Sequence, residues 1–191
     1  DKYVYLKSTT SRKYTDEDVT SGKTYLYKVR CYWTIGGTNY YGNYSSVISV
    51  TTPPAKVAEV DTETRSSTYL TLNWKKVSGA SGYRIYKYNT SSKSYEKVTT
   101  ISKGSTVSYK ITGLTAATEY QFKVRAYKKT DTGTLWGSSS SAYKDCTKPL
   151  KTKGVKASTK ASAVTLSWQK VTGAGGYCVY RYNSAAKKYE K

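Results

Sequence analysis

The stretch LTLNWKKVSGASGYRIYKYNTSSKSYEK (70–97) returns as VTLSWQKVTGAGGYCVYRYNSAAKKYEK (164–191), at an offset of 94 residues. A second pair, YKITGLTAATEYQFKVRAY (109–127) and YTDEDVTSGKTYLYKVRCY (14–32), is offset by 95 and continues without a gap through Gly42/Gly137 to Thr52/Thr147. One unit is therefore about 95 residues long, and the 191-residue chain holds two periods of it. The phase matters as much as the period. Residues 53–148 make one complete unit, 1–52 the back half of another, and 149–191 the front half of a third. Both ends fall at the same point of the repeat, since KYVY (2–5) and KYEK (188–191) each echo SYEK (94–97).

Within the complete unit, apolar and polar residues alternate in short runs separated by turn residues. The runs predict strands near 55–61, 68–75, 82–89, 94–100, 106–112, 119–128 and 137–146. Tyr (22 residues), Thr, Ser and Val dominate, and no stretch holds a 3.6-residue apolar period. Seven short strands without a helix point to an all-β antiparallel sandwich of two sheets. The unit links, VTTPPAKV (50–57) and CTKPLKTKG (146–154), are short and carry Pro, so neighbouring units should sit end to end with restricted bending.

Several motifs, in order, resemble fibronectin type III modules. Trp74 and Trp168 close the second strand, where that family keeps a core Trp, and GYRIY and GYCVY resemble its third strand. LTAATEYQFKVRAY resembles the corner and strand F of the family, with Leu114, Thr118 and Tyr120 in place and Ala116 where Pro is usual. The first unit is looser there, with Val19, Lys23 and Tyr25. The resemblance implies tandem fibronectin type III-like (immunoglobulin-like) β-sandwiches. The Lys-, Tyr- and Ser-rich style resembles modules in secreted surface proteins of Gram-positive bacteria.

Period-two alternation gives the predicted strands near 82–89 and 119–128 two faces. Tyr83 and Ile85, with Tyr120, Phe122, Val124 and Ala126, should point inward, as should Tyr25, Tyr27, Val29 and Cys31 of the first unit. Cys31 stands where the complete unit has Ala126, and is expected to be a buried, inert thiol. Outward go Arg84, Tyr86 and Tyr88 on one strand and Lys123, Arg125 and Tyr127 on the other, a candidate stripe for phosphates, uronates or sugar rings. Strand propensity explains the same Tyr residues without any ligand, and is the preferred reading. The hairpin tips WTIGGTNYYGN (33–43) and KTDTGTLWGS (129–138) offer Trp33, Tyr40, Tyr41, Leu135 and Trp136 as candidate loop contacts, either for a ligand or for the next module.

Composition excludes much. The chain has no His, so neither Ser-His-Asp nor Cys-His catalysis is available. Cys31, Cys146 and Cys178 form no CxxC pair, so no zinc site is expected, and no cofactor is implied. The 12 acids are scattered apart from Asp16-Glu17-Asp18, and no catalytic residue is assigned. No apolar run approaches the roughly 18 residues of a transmembrane helix. The net charge of +20 divides as +3 (1–52), +9 (53–148) and +8 (149–191), carried by 26 Lys against 6 Arg. Spread, Lys-based charge argues against specific nucleic-acid readout and suits anionic cell-wall polymers or glycans. Asn43-Tyr44-Ser45 and Asn89-Thr90-Ser91 match the glycosylation acceptor pattern, which has meaning only in a eukaryotic secretory setting.

Neither half-unit can close a two-sheet core alone. Either the chain is a window on a longer array, or the halves of different copies complete one another; the window is preferred because strand exchange is the rarer arrangement. A start at Asp1 rather than Met fits a processed product or a piece of something longer. In a composite module Cys178 and Cys31 would lie on adjacent strands but opposite faces, leaving Cys146 as the candidate for an inter-chain disulfide. The reading is a non-enzymatic extracellular structural protein forming a rod or filament on or outside a bacterial cell. Its partners would be other copies of itself or neighbouring modules. The alternative is a glycan- or polyanion-binding accessory or adhesin stretch of a larger secreted protein.

Overall fold

The computed structural model describes residues 3–190, so Asp1, and Lys2 and Lys191 of the echoed end motifs, lie outside the described residues. The first flank carries β1 (Thr24–Tyr27), β2 (Tyr32–Ile35), β3 (Thr38–Tyr41) and β4 (Ile48–Thr51); β1 pairs β4 and β2 pairs β3, both antiparallel. The middle carries β5 (Asp61–Arg65), β6 (Tyr69–Asn73), β7 (Gly82–Asn89), β8 (Ser94–Ile101), β9 (Ser108–Thr112), β10 (Glu119–Thr130), β11 (Gly133–Ser139) and β12 (Tyr143–Cys146). The last flank carries β13 (Lys156–Lys160), β14 (Ala163–Ser167), β15 (Arg181–Asn183) and β16 (Lys188–Glu190), as two antiparallel hairpins. The described chain is all-β and antiparallel.

Only the middle closes. A three-stranded sheet, β5-β6-β9, faces a five-stranded one in which β11, β10, β7 and β8 follow in order and β12 also pairs β10. On β7 and β10 the inward residues are those that alternation selects: Tyr83, Ile85, Phe122, Val124 and Ala126 are each fully buried and Tyr120 is half-buried against them, while β6 adds Leu70 and Leu72, also fully buried. Trp74 packs edge-on against Tyr83 at 5.3 Å, and the Tyr83 hydroxyl accepts a hydrogen bond from the Val77 amide at 2.9 Å. Aromatic and branched side chains thus fill the space between two pleated faces without a helix.

Two strand boundaries differ from expectation. The first strand begins at Asp61 rather than near residue 55. Pro53 and Pro54 cannot donate to a ladder, and Glu59 takes a left-handed φ of 54°, which breaks the extended run before it can pair. The last strand is divided into β11 and β12 by Ser140. The Val124 amide donates to the Ser140 hydroxyl at 3.0 Å and the Ser140 amide donates to the Val124 carbonyl at 2.8 Å, so a side chain replaces one rung of the ladder.

The flanks repeat the middle in local detail. The Thr20 amide bonds the Tyr25 hydroxyl at 2.6 Å, as Thr115 bonds Tyr120 at 2.7 Å. Val29 bonds the Ser45 hydroxyl at 3.0 Å, as Val124 bonds Ser140. Val171 bonds the Tyr177 hydroxyl at 2.7 Å, and Trp168 meets Tyr177 at 5.3 Å, as Val77, Trp74 and Tyr83 do. Their apolar faces, however, are open. Cys31, expected to be buried, is exposed, as are Cys146 and Cys178, and all three are free thiols. The position of Cys31 is inward in the repeat, but no second sheet covers it among the described residues.

Candidate functional site

The outer face of β7 and β10 brings most of the expected stripe together. Arg84 and Arg125 are directly opposite across the two strands. Like charges in that position repel. The structure offsets this with one ring: the guanidinium carbons of Arg84 and Arg125 lie 4.2 and 5.3 Å from the Trp136 ring centre. Arg125 Nε also donates to the Gly137 carbonyl at 2.6 Å, and Arg84 Nε to the Thr100 hydroxyl at 3.2 Å. Further along, Lys123 sits opposite Tyr86, with its Nζ 4.3 Å from the Tyr95 ring, and Tyr95 meets Tyr88 edge-on at 5.3 Å. Burial, then the neighbouring Tyr88, pushes the Tyr95 phenol above its ordinary value.

Tyr127 is not part of that exposed face. It is 3% exposed, with its ring 5.1 Å from Trp136 and its hydroxyl donating to the Ile101 carbonyl at 3.3 Å. A register shift between Arg125 and Tyr127 breaks strict alternation, and the ring covers Gly82, its cross-strand partner. Leu135 and Trp136 lie on β11, not on a loop, because the hairpin turns at Asp131–Thr132. Both are half-buried. Trp33, Tyr40 and Tyr41 likewise lie on β2 and β3, with the turn at Gly36–Gly37. There Trp33 and Tyr40 are opposed across the strands and both are exposed. Arg30 covers Tyr41 at 3.9 Å, as Arg125 covers Trp136. The surface therefore presents cations stacked on rings. None of Arg84, Arg125 or Lys123 has a carboxylate partner among the described residues.

A second cluster had no signal in the sequence. Arg65 on β5 grips Asp145 on β12 through two contacts, Nε to Oδ1 and Nη2 to Oδ2, both 2.8 Å. Tyr143 donates to Asp61 Oδ1 at 2.9 Å, and the amides of Thr62 and Cys146 donate to Asp61 and Asp145. The partners are some 80 residues apart and clamp the two sheets at one edge. For Asp145, burial pulls the carboxyl upward, but the Arg65 fork and the Cys146 amide outweigh it and hold the group below the usual carboxylate range. Asp61 is held low by the Thr62 amide and then by Tyr143.

The folded state therefore binds fewer protons than the unfolded chain in the acid range. The clamp's contribution is full above the ordinary Asp value of about 3.9 and is lost as pH falls through the lower folded value. Asp145→Asn is expected to cost about 1.5–3 kcal/mol at neutral pH and to flatten the acid limb of a stability–pH profile measured by urea unfolding. Asp16, from the acidic run, accepts a hydrogen bond from the Tyr27 hydroxyl at 2.9 Å, which raises the Tyr27 phenol. No group of three or more His, Cys, Asp or Glu among the described residues could hold a metal ion. Among the described residues no helix is long and apolar enough to cross a membrane.

Among known proteins, the fibronectin type III domain family model matches residues 53–142. Exoglucanase B of Cellulomonas fimi is 35% identical over 158 residues; the chain is covered to 78% and spans 14% of the length of that relative. A solution structure of a fibronectin type-III domain of human fibronectin type III domain containing protein 3 is similar, with a TM-score of 0.43 and 23% identity over 52% of this chain and 90% of that one. The FN1–FN3 domains of chicken CNTN1 also give a TM-score of 0.43, at 21% identity over 71% of this chain and 44% of theirs. The family match falls on the stretch whose two sheets close over a shared core: residues 53–142 form a fibronectin type III domain.

Proposed function

We propose that this chain is a non-enzymatic stretch of tandem fibronectin type III-like modules, working as a stiff extracellular rod within a larger bacterial protein. The observation that carries the reading is a repeated junction. At the first link the Gly22 amide donates to the Pro53 carbonyl at 3.0 Å, and at the second the Ala117 amide donates to the Lys148 carbonyl at 3.1 Å. Residues 22 and 53 match 117 and 148 at the same offset of 95. The same turns also touch the following unit: Gly22 lies against Gly79, and Ala117 against Gly173. Gly79 and Gly173 match at an offset of 94 and both have left-handed φ, 69° and 76°, and a Cβ at either glycine would be strained and would meet the facing turn. One contact used twice gives one step repeated, which is what a regular rod needs.

The relation to a small part of an exoglucanase supports a module stretch in a larger secreted protein. The aromatic stripe supports glycan binding less, because Tyr127 is covered and Trp136 is capped by two guanidinium groups. Stiffness is testable with native thiols. Cys31→Ala installs the residue of the matching central position and leaves Cys146 and Cys178 on either side of the second junction. Spin labels on these two, diluted into excess unlabelled chain, are expected to give a single narrow distance distribution. A broad distribution would mean a swivelling link and would end the rod reading.

A further inference from the structure

The charge of the central module is not shared evenly between its two sheets. On the outer face of the five-stranded sheet, register sets Lys97, Tyr86 and Lys123 in one cross-strand row and Arg84 beside Arg125 in the next. Lys144 stands opposite Gln121 on the same face. The carboxylate that alternation adds there is Glu119, which lies 3.3 Å from Lys144. Arg84, Lys97, Lys123 and Arg125 have no carboxylate partner among the described residues. On the other sheet, β6 and β9 set Tyr69, Thr71 and Asn73 opposite Thr112, Lys110 and Ser108, so one cation stands among neutral residues.

Three of the four unpaired cations are also held in place. Arg84, Lys123 and Arg125 are half-buried, the two arginines against Trp136 and the lysine against Tyr95. Each arginine Nε is engaged, with the Thr100 hydroxyl or the Gly137 carbonyl, leaving the Nη groups to donate to the two oxygens of an oxyanion. Order set before binding lowers the entropy lost on contact. The arrangement recurs at the offset of 95. Lys28 and Arg30 match Lys123 and Arg125, and lie 4.1 Å from the Tyr44 ring and 3.9 Å from that of Tyr41, the match of Trp136.

We propose that this face binds a linear polyol phosphate, a phosphodiester polymer held through its charged backbone alone. Bases are gripped by laying a ring on an aromatic side chain, and sugar rings use such a surface in the same way. Here the rings are taken: Trp136 by Arg84, Arg125 and Tyr127, and Tyr95 by Lys123 and Tyr88. The face therefore supplies oxyanion donors without a stacking platform, which suits a polymer that carries its charge on its backbone and has neither bases nor sugar acids. Repetition of the cation–ring contacts along the chain lets weak contacts add by multivalency. Binding uses a sheet face and stiffness the junction turns, so this inference and the rod reading fail separately.

The test is calorimetric titration of the 191-residue chain with poly(glycerol phosphate) across a salt series. A net charge of +20 retains any polyanion at low salt, so the readout is the slope of log K against log salt in charge-matched variants. Arg84→Gln with Arg125→Gln is expected to make the slope shallower by about 1.4, at about 0.7 for each phosphate contact of a flexible single strand. Lys97→Gln with Lys123→Gln, which spares the Trp136 stack, is expected to do the same. Lys103→Gln with Lys110→Gln removes equal charge away from this face and should leave the slope unchanged. Equal slope changes in all three pairs would mean that only overall charge is at work, and would overturn the proposal, as would no binding by the unaltered chain. Polygalacturonate and single-stranded oligothymidylate, matched in charge, are expected to bind more weakly. Binding of the first as tightly would assign the face to sugar acids, and of the second to nucleic acid; either result overturns the proposal.

Discussion

Phe122→Ala is expected to destabilise the central module by about 3–5 kcal/mol, the range for emptying a buried aromatic site in a core that cannot collapse around it. Phe122 has no exposed surface, stacks on Tyr120 at 6.2 Å, and stands between Lys87 and Tyr143 on the two neighbouring strands. Strands on both sides hold the backbone at this point, so the cavity has little means of closing. A domain of this size is held by about 5–15 kcal/mol in total, so the loss is a large share of it. Urea unfolding followed by Trp fluorescence would read the change as a lower midpoint with an unaltered slope. The control is Tyr27→Ala, at the matching place in the open first flank. It should move the central transition by no more than about 0.5 kcal/mol, the usual size for a site remote from the cooperative core. A shift of similar size in both variants would mean that the flank and the middle unfold together.

The architecture was legible because two periodicities agree. The 94–95 residue repeat marks one complete unit and two halves in the sequence, and period-two alternation selected Tyr83, Ile85, Phe122, Val124 and Ala126, which are buried, along with Tyr120, which is only half-buried. What was not legible depended on long-range pairing or on local departures from the pleat. Alternation from Ala126 sends Tyr127 outward, yet the register shift after Arg125 and the bare Gly82 opposite turn it into a covered residue. Trp136 looked like part of a loop because Gly and Thr surround it, but the turn takes only Asp131 and Thr132, and the rest extends the ladder. The Arg65–Asp145 clamp joins two ordinary surface residues that no local pattern links. Cys31 shows another limit. Register places it on an inward face, but whether that face is covered depends on a partner strand, which alternation within its own strand does not report.

Gly82→Ala is expected to cost about 1–3 kcal/mol, and the direction is the informative part. By propensity alone the change should help, since Gly inside a strand is worse than Ala by roughly 0.5–1 kcal/mol. Gly82 opens β7, and a Cβ built there would run into the Ile101 carbonyl oxygen and lie 2.6 Å from the Tyr127 hydroxyl. The first of these is backbone of the adjoining strand β8, whose pairing with β7 ends at Tyr83 and Ile101, so it cannot rotate out of the way. The second is the tip of a ring packed against Trp136, so displacing it also disturbs the surface on which Arg84 and Arg125 rest. The extra methyl therefore forces either the strand end or the aromatic cover to move, and each loses more than the methyl gains. Pairing the change with Tyr127→Ala separates the two. If the ring is the main obstacle, the double variant should recover part of the loss. If the Ile101 carbonyl dominates, the two costs should simply add. A stabilised Gly82→Ala protein would mean that β7 and β8 do not approach as closely at this end as the structure has them.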